Sequence, residues 1–202
     1  MSNVYLKAWH GGLGDALQFS TLPEEFSKQQ GRKTYIVADA PFRNEGIYDL
    51  VWDKNPYVDG KKFGEWNAGD LPSIPYREDG FLEENGTGNM IPNWEKFHGL
   101  KPTNKYPKVY YEPEKDKDVK DLFIVDFTST TVSDTKEELI NCLDQIRNQY
   151  PDRKFVSVSF EDITPTKDLS DDIKFDGYIE VENIFRYCDL MSSVYGYVSL
   201  HS

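Results

Sequence analysis

The sequence predicts an α/β protein built from two βαβ units, and three observations support this prediction. A strand pattern at Val4–Trp9 runs directly into a glycine-rich turn and then into a helical pattern. A second strand–turn–helix–strand pattern extends from 122 to 160. An almost wholly charged segment at 112–121 lies between them and is typical of a solvated connector. We therefore predict two Rossmann-like domains, the second incomplete; the weaker alternative is a single doubly wound domain.

The turn after the first strand is the most informative feature of the chain. It contains, in order, His10, Gly11, Gly12, Leu13 and Gly14. A glycine turn between a strand and a helix N-terminus presents backbone N–H groups where open α/β sheets bind ligands. The dinucleotide-binding fingerprint is broken, because Leu17 stands where its third glycine is required. No Lys-Ser or Lys-Thr pair follows, so the turn is not a phosphate-binding P-loop.

Asp15 follows this turn at the start of the helical pattern and has two interpretations. An acid at a helix N-terminus is stabilised by about 0.3–1 kcal/mol through the helix dipole, so capping alone could explain it. The same acid, directed towards a ligand, could act as a general base on a neutral hydroxyl group. The residues themselves leave both interpretations open.

The rest of the first domain, over 1–113, is predicted from local patterns. We expect a helix over Ala16–Gln29 that is kinked or broken at Pro23, ended by Gly31, and followed by a strand at Tyr35–Ala38. A short amphipathic helix is expected over Arg43–Val51, with an Asn-Pro turn after it. The stretch from 61 to 113 lacks sustained periodicity except for a helical piece at 93–100. It is either a set of loops and short helices that shape a binding site or an ordinary irregular insertion.

After a charged linker at 114–121, a partial second domain is expected over 122–202. Its predicted elements are strand Leu122–Phe127, polar turn Thr128–Ser133, helix Thr135–Gln149, strand Lys154–Phe160, helix Glu182–Met191 and a strand from Gly196. Ser133 or Asp134 is the expected cap of the central helix, with Glu137 or Glu138 completing a capping box. The hydroxyl groups of Thr128, Ser129, Thr130 and Thr131 could hold a diphosphate or could serve only as turn and cap residues.

Composition limits the classes of function. Hydrophobic residues make up 38% of the 202 residues and the net charge is −12, which favours a folded core and argues against a nucleic-acid-binding surface. Cys142 and Cys188 lie in helical patterns without metal-ligand spacing, and we expect both to be buried free thiols. No stretch approaches the roughly 20 apolar residues of a membrane span, and no signal peptide precedes the first strand, so we expect a cytoplasmic protein without a transmembrane segment.

The segment Gly11–Pro23 resembles the start of the family 9 glycosyltransferases, whose best-known members are the heptosyltransferases. The resemblance implies the GT-B architecture of two Rossmann-like domains and an inverting, metal-independent reaction that needs no cofactor. It assigns the role of catalytic base to Asp15. The turn residues on the acceptor side would then be His10, Gly11, Gly12 and Gly14.

The segment Asp189–Ser202 resembles the C-terminal block of the same family, in which a strand leads into a turn that binds the donor sugar and diphosphate. His201 and Ser202 fall on the acid and hydroxyl positions of that turn, so the acid is replaced. The resemblance also gives Thr128–Thr131 a donor-phosphate role, which in the family is often assisted by a lysine. Here the nearest lysine in sequence, Lys136, already lies in the following helix.

The resemblance implies transfer of a sugar from a nucleotide-diphosphate donor to a hydroxyl of a glycan or glycolipid acceptor. The family pattern is truncated at the C-terminus, so a further segment or an oligomeric partner would have to complete the second sheet. Short relatives of this sort are familiar from phage genomes, which indicates a phage or bacterial protein. The alternatives are a catalytically silent nucleotide- or sugar-binding protein and a structural protein on a Rossmann-like scaffold.

Overall fold

The computed structural model describes residues 3–6, 12–37, 45–63, 90–129, 135–160, 167–168 and 173–199. The chain divides into two compact units, Met1–Tyr111 and Glu112–Ser202. Each unit contains a parallel β-sheet, and helices lie between most of the successive strands of these sheets. The predicted α/β class with two Rossmann-like units is confirmed.

The first unit contains a three-stranded parallel sheet in the order β1-β2-β3. Its elements are β1 (Val4–Leu6), α1 (Leu13–Phe19), α2 (Leu22–Gln30), β2 (Thr34–Val37), α3 (Glu45–Tyr48) with a π-helical turn (Asp49–Asp53), β3 (Val58–Lys62) and α4 (Met90–Phe97). The predicted break at Pro23 is confirmed, because this proline lies in the first turn of α2, where a missing N–H costs nothing. Gly31 ends α2 in the left-handed conformation, with φ 62°.

Aromatic side chains pack the helices of the first unit together. Phe19 of α1 meets Trp94 of α4 edge to face, with ring centroids 4.9 Å apart, and both side chains are buried. Trp94 also donates its indole N–H to Gln18 at 3.2 Å. Such contacts combine apolar burial with favourable ring geometry, so they fix α4 against the helix that follows the glycine turn.

A buried polar network ties the segment after α4 to α2. Glu24 accepts hydrogen bonds from the ammonium groups of Lys28 and Lys108 and from the phenol of Tyr110 at 2.9 Å. Burial alone would raise the pKa of Glu24, but these hydrogen bonds outweigh it and lower the pKa to about 2. The fully buried Glu95 accepts the backbone N–H of Thr103 at 2.7 Å. The network therefore supplies this irregular segment with the partners that a sheet or helix would otherwise provide.

The second unit contains a four-stranded parallel sheet in the order β8-β6-β4-β9 and a two-stranded antiparallel pair, β5-β7. Its elements are β4 (Leu122–Asp126), β5 (Thr128–Ser129), α5 (Lys136–Gln149), β6 (Lys154–Phe160), β7 (Lys167–Asp168), β8 (Gly177–Val181), α6 (Ile184–Ser193) and β9 (Gly196–Ser199). The core lies on both faces of this sheet, with Phe123, Val125 and Phe155 on one and Ile124, Val158 and Leu190 on the other. Strand β8 was not predicted from the sequence.

Helix α5 begins one residue later than predicted and has a different cap. Thr135 is the N-cap, accepting the backbone N–H of Glu138 at 3.3 Å, and the Glu138 carboxylate in turn accepts the Thr135 N–H at 2.7 Å. The predicted caps Ser133 and Asp134 lie outside the described residues.

The predicted burial of Cys142 is wrong: its thiol is on the exposed side of α5. Cys188 in α6 is half-buried, and burial raises the pKa of its thiol.

The charged segment at 112–121 is held against α6. The backbone N–H of Glu114 donates to Asp189 at 2.8 Å, and that of Asp116 donates to the Ser193 hydroxyl at 2.9 Å. Arg186 forms an ion pair with the Asp116 carboxylate at 2.7 Å. The segment, although mostly exposed, therefore follows a defined path instead of being only a solvated connector.

Candidate functional site

The first candidate site lies where α1 begins, the first helix after β1 in the chain. Gly12 is the N-cap residue, and Asp15 occupies the third helical position. Oδ2 of Asp15 accepts the backbone N–H of Gly12 at 3.2 Å, which is the side-chain contact of a capping box. A Cβ atom at Gly12 would lie 2.9 Å from this same oxygen, closer than real Cβ contacts allow. A side chain at position 12 would therefore force the Asp15 carboxylate to move away from its place beside the Gly12 backbone.

For the other predicted residues of the turn, the structure shows no such close contact or gives no description. Gly14 is exposed, and a Cβ atom there would meet nothing within 4 Å, so the structure shows no steric need for glycine at that position. His10 and Gly11 lie outside the described residues. Asp15 itself is half-buried, so its carboxylate is reachable by solvent while one oxygen caps the helix. Capping is thus observed, and the role of general base stays a prediction.

The second candidate site lies at the carboxyl edge of the sheet in the second unit. From β4 the chain moves outward through β6 and β8 and then returns to β9 on the other side of β4. The strand order reverses between β4 and β9, and open α/β sheets bind ligands at such a switch point. Asp126 ends β4 and Ser199 ends β9, and the two are partners in the parallel ladder.

This strand order brings together the starts of two segments that the sequence predicted for donor binding. Thr128 and Ser129 follow β4 after one intervening residue, Phe127, and His201 and Ser202 come after β9 in the sequence. Thr130, Thr131, His201 and Ser202 lie outside the described residues, as do the side chains of Thr128 and Ser129. The roles predicted for all six in donor binding therefore stay predictions.

Thr128 and Ser129 form the short strand β5 instead of the polar turn expected there. They pair antiparallel with β7, so that Thr128 lies opposite Asp168 and Ser129 opposite Lys167. The backbone of Lys167 therefore lies next to the predicted diphosphate segment, although it is 38 residues further along the chain than Ser129, which spacing in the sequence could not reveal.

A cluster of one carboxylate and two phenols, the switch-point cluster, lies at the same edge and was not predicted. Tyr187 of α6 and Tyr197 of β9 donate to Oδ2 of Asp126 at 3.1 and 3.3 Å, and their hydroxyl oxygens lie 2.5 Å apart. Burial raises the pKa of both phenols, and the Asp126 carboxylate raises it further. A charged residue ending the apolar strand 122–126 was the one signal of this site in the sequence.

Within the described ranges, no group of three or more histidine, cysteine, aspartate or glutamate side chains is placed to hold a metal ion. His98 packs edge-on against Phe26 and Phe97. Burial lowers the pKa of His98 to about 4.

In the part of the chain that the structure covers, no helix is both long and apolar enough to cross a membrane.

The fold is of the Rossmann-like α/β kind found in glycosyltransferases. A similar solved structure is that of the iron-containing dodecameric glycosyltransferase TibC from enterotoxigenic E. coli, with a TM-score of 0.59 and 12% sequence identity. The match covers 98% of this chain and 53% of that protein, so this chain spans about half its length. No known protein family and no curated protein matches the sequence. At this identity the likeness shows the fold alone.

Proposed function

We propose that this protein is a GT-B-type glycosyltransferase that moves a sugar from a nucleotide-diphosphate donor to a hydroxyl of a glycan or glycolipid. The observation that carries this proposal is the likeness of fold to a glycosyltransferase over 98% of the chain. The resemblance of Gly11–Pro23 to family 9 glycosyltransferases is an independent argument from the sequence. In this proposal the first unit serves the acceptor and the second unit holds the donor.

The donor diphosphate is proposed to bind at the switch point between β4 and β9. Two segments with hydroxyl side chains, Thr128–Thr131 and the one ending in His201 and Ser202, begin at neighbouring strand ends there. Hydroxyl and backbone N–H groups at such an edge can hold phosphate oxygens without a metal ion. Lys167, whose ladder position is opposite Ser129, is the proposed source of positive charge for the diphosphate.

Asp15 is the proposed general base. In the proposed reaction its carboxylate takes the proton of the acceptor hydroxyl while that oxygen forms a bond to the anomeric carbon of the donor sugar. The bond between this carbon and the diphosphate oxygen breaks on the opposite face, so the configuration inverts and the nucleoside diphosphate leaves with the bonding electron pair. Asp15 has a second carboxylate oxygen in addition to the one that accepts the Gly12 N–H, which leaves a place for that proton.

The test is a measurement of nucleoside diphosphate release from a panel of ADP-, UDP-, GDP- and CDP-sugars, with and without glycan acceptors. Release that depends on acceptor and persists in EDTA supports a metal-independent transferase. Binding of a nucleoside diphosphate without turnover on any donor contradicts it. Loss of activity in EDTA, restored by a divalent cation, would contradict only the metal-independent part.

The second candidate function is a catalytically silent nucleotide- or sugar-binding protein. The contact between Asp15 and the Gly12 N–H favours it, because helix capping alone accounts for the acid at this position. This candidate predicts binding of a nucleoside diphosphate or sugar without release of product. A structural protein on the same scaffold would bind none of them.

A further inference from the structure

The switch-point cluster joins three elements of the second unit at one atom. Asp126 ends β4, Tyr197 lies on β9, and Tyr187 lies on α6, and both phenols contact the same carboxylate oxygen. The two rings meet edge to face, with centroids 6.4 Å apart. A carboxylate that accepts two phenol hydrogen bonds holds both side chains more strongly than a neutral acceptor would.

Side-chain contacts matter more for the position of strand β9 than for that of a strand paired on both sides. It lies at the edge of the sheet among the described strands and pairs there only with β4. Its last residue, Ser199, is therefore held by the ladder on one side only. The hydroxyl of Tyr197, two residues earlier, and that of Tyr187 on α6 fix this strand end and the adjacent helix relative to Asp126.

The charge of Asp126 is poorly suited to touching the donor. A carboxylate at this edge repels the phosphate groups that are proposed to bind after β4 and β9. Its oxygen, in contrast, is a good acceptor for two phenol hydroxyl groups, which are protonated at neutral pH. The cluster is therefore suited to holding strand ends in place and not to binding phosphate directly.

We propose that Asp126, Tyr187 and Tyr197 are positioning residues of the proposed donor site, which hold the ends of β4 and β9 in place at the sheet edge where the nucleoside diphosphate is proposed to bind. This inference rests on the proposed function, because the ligand that it concerns is the proposed donor. Its specific consequence is that removing a phenol hydroxyl, which touches no phosphate, weakens donor binding.

The experiment is calorimetric titration of the intact chain with ADP, UDP, GDP and CDP. For the nucleotide that the unaltered protein binds best, Tyr187→Phe and Tyr197→Phe are each expected to raise Kd about tenfold, the effect of losing one hydrogen bond to a charged group. The double variant is expected to weaken binding by less than the product of the two, because the phenols share one acceptor. Tyr178→Phe is the matched control, since this exposed tyrosine lies on β8 at the far edge of the sheet.

Two substitutions of Asp126 separate its role in holding the two phenols from the effect of its negative charge. Asp126→Asn keeps an oxygen that accepts a phenol hydrogen bond and removes the negative charge, so its Kd is expected to stay within about threefold of the unaltered value. Asp126→Ala removes the acceptor and is expected to raise Kd about tenfold or more. Amide hydrogen exchange of the ligand-free variants should be faster at Val198 and Ser199 in Asp126→Ala than in Asp126→Asn, with unchanged exchange in β6.

The outcomes distinguish the two proposals. Binding by the unaltered protein, with unchanged Kd in both phenylalanine variants, overturns the positioning role and leaves the proposed function standing. A lower melting temperature with unchanged Kd likewise overturns it, because the cluster would then be only structural. No binding of any of the four nucleotides by the unaltered protein overturns the proposed function and this inference with it.

Discussion

Oδ2 of Asp15 lies 3.2 Å from the backbone nitrogen of Gly12 and accepts its N–H. The same carboxylate is thus a cap of the first helix and the proposed base. The two roles respond differently to substitution, because capping needs an oxygen acceptor and base catalysis needs a group that takes up a proton. Asparagine satisfies the first requirement and fails the second.

The close approach at Gly12 predicts a contrast between two glycines of the turn. In Gly12→Ala the new Cβ would lie 2.9 Å from Asp15 Oδ2, so the carboxylate must move and the capping contact is lost. We expect a loss of about 1 kcal/mol in the free energy of unfolding. Gly14→Ala, with open space at this helical position, should instead be neutral or stabilising by up to about 1 kcal/mol. Urea unfolding of both variants measures the contrast, and equal effects would contradict it.

The pairing of Ser129 with Lys167 predicts an electrostatic contribution to donor binding. Lys167→Gln removes one positive charge from the ladder position beside the proposed diphosphate segment, and we expect nucleoside diphosphate affinity to fall about tenfold at low salt. The difference from the unaltered protein should shrink as ionic strength rises. Lys174→Gln, the same change at an exposed position before β8, is the control for net charge. Equal affinities of the two variants at low salt would show that Lys167 does not contribute to donor binding.

The burial of His98 predicts a pH dependence of stability. Both ring nitrogens are buried and have no hydrogen-bond partner in the described part of the chain, and desolvation lowers the pKa from 6.5 to about 4. The folded state binds fewer protons, so stability is complete above pH 6.5 and is lost as pH falls towards 4, by about 3 kcal/mol. His98→Phe should lack this loss between pH 6.5 and 4, as measured by chemical denaturation. Parallel curves for the two proteins would show that His98 does not titrate with a lowered pKa.

The lowered pKa of Glu24 predicts a second loss of stability, at a lower pH than the loss caused by His98. Hydrogen bonds from Lys108, Lys28 and Tyr110 outweigh burial and lower the pKa of Glu24 from 4.5 to about 2, so this contribution is present above pH 4.5 and is lost as pH falls to 2. Lys108→Met should destabilise the protein by about 2 kcal/mol at pH 7, because it removes a charged hydrogen bond to a buried carboxylate. Lys101→Met, at an exposed position in the same segment, is the control. Equal unfolding free energies of the two variants would contradict the assignment.

The local sequence pattern was sufficient to predict much of the fold. Strand Lys154–Phe160 has the predicted bounds, and the helix ending at Gln149 begins within one residue of its predicted start, because each pattern lies within one continuous segment. Strand β8 was missed, since Gly177 and Glu180 interrupt its apolar alternation. Cys142 was placed on the buried face because it follows Leu139 by three residues, yet the helix buries only the narrower stripe of Leu139 and Leu143.

The candidate sites were only partly predictable, for a physical reason. A turn such as the one at Gly12 and Asp15 is read from adjacent residues, whereas the proximity of Asp126 to Tyr187 and Tyr197 depends on strand order. Ser129 and Lys167 are likewise paired across the fold and not along the chain. Sequence reasoning found the strand ends that form the edge, and the sheet topology decided which side chains meet there.

The most direct test of the account is the rate of glycosyl transfer by Asp15→Asn, measured beside its melting temperature. The account predicts a folded protein with a melting temperature within about 2 °C of the unaltered value, since asparagine still accepts the Gly12 N–H, and a transfer rate at least about 100-fold lower. Asp144→Asn, an exposed aspartate on α5, controls for the change of charge. An unchanged rate in Asp15→Asn would contradict the account and leave Asp15 as a helix cap alone.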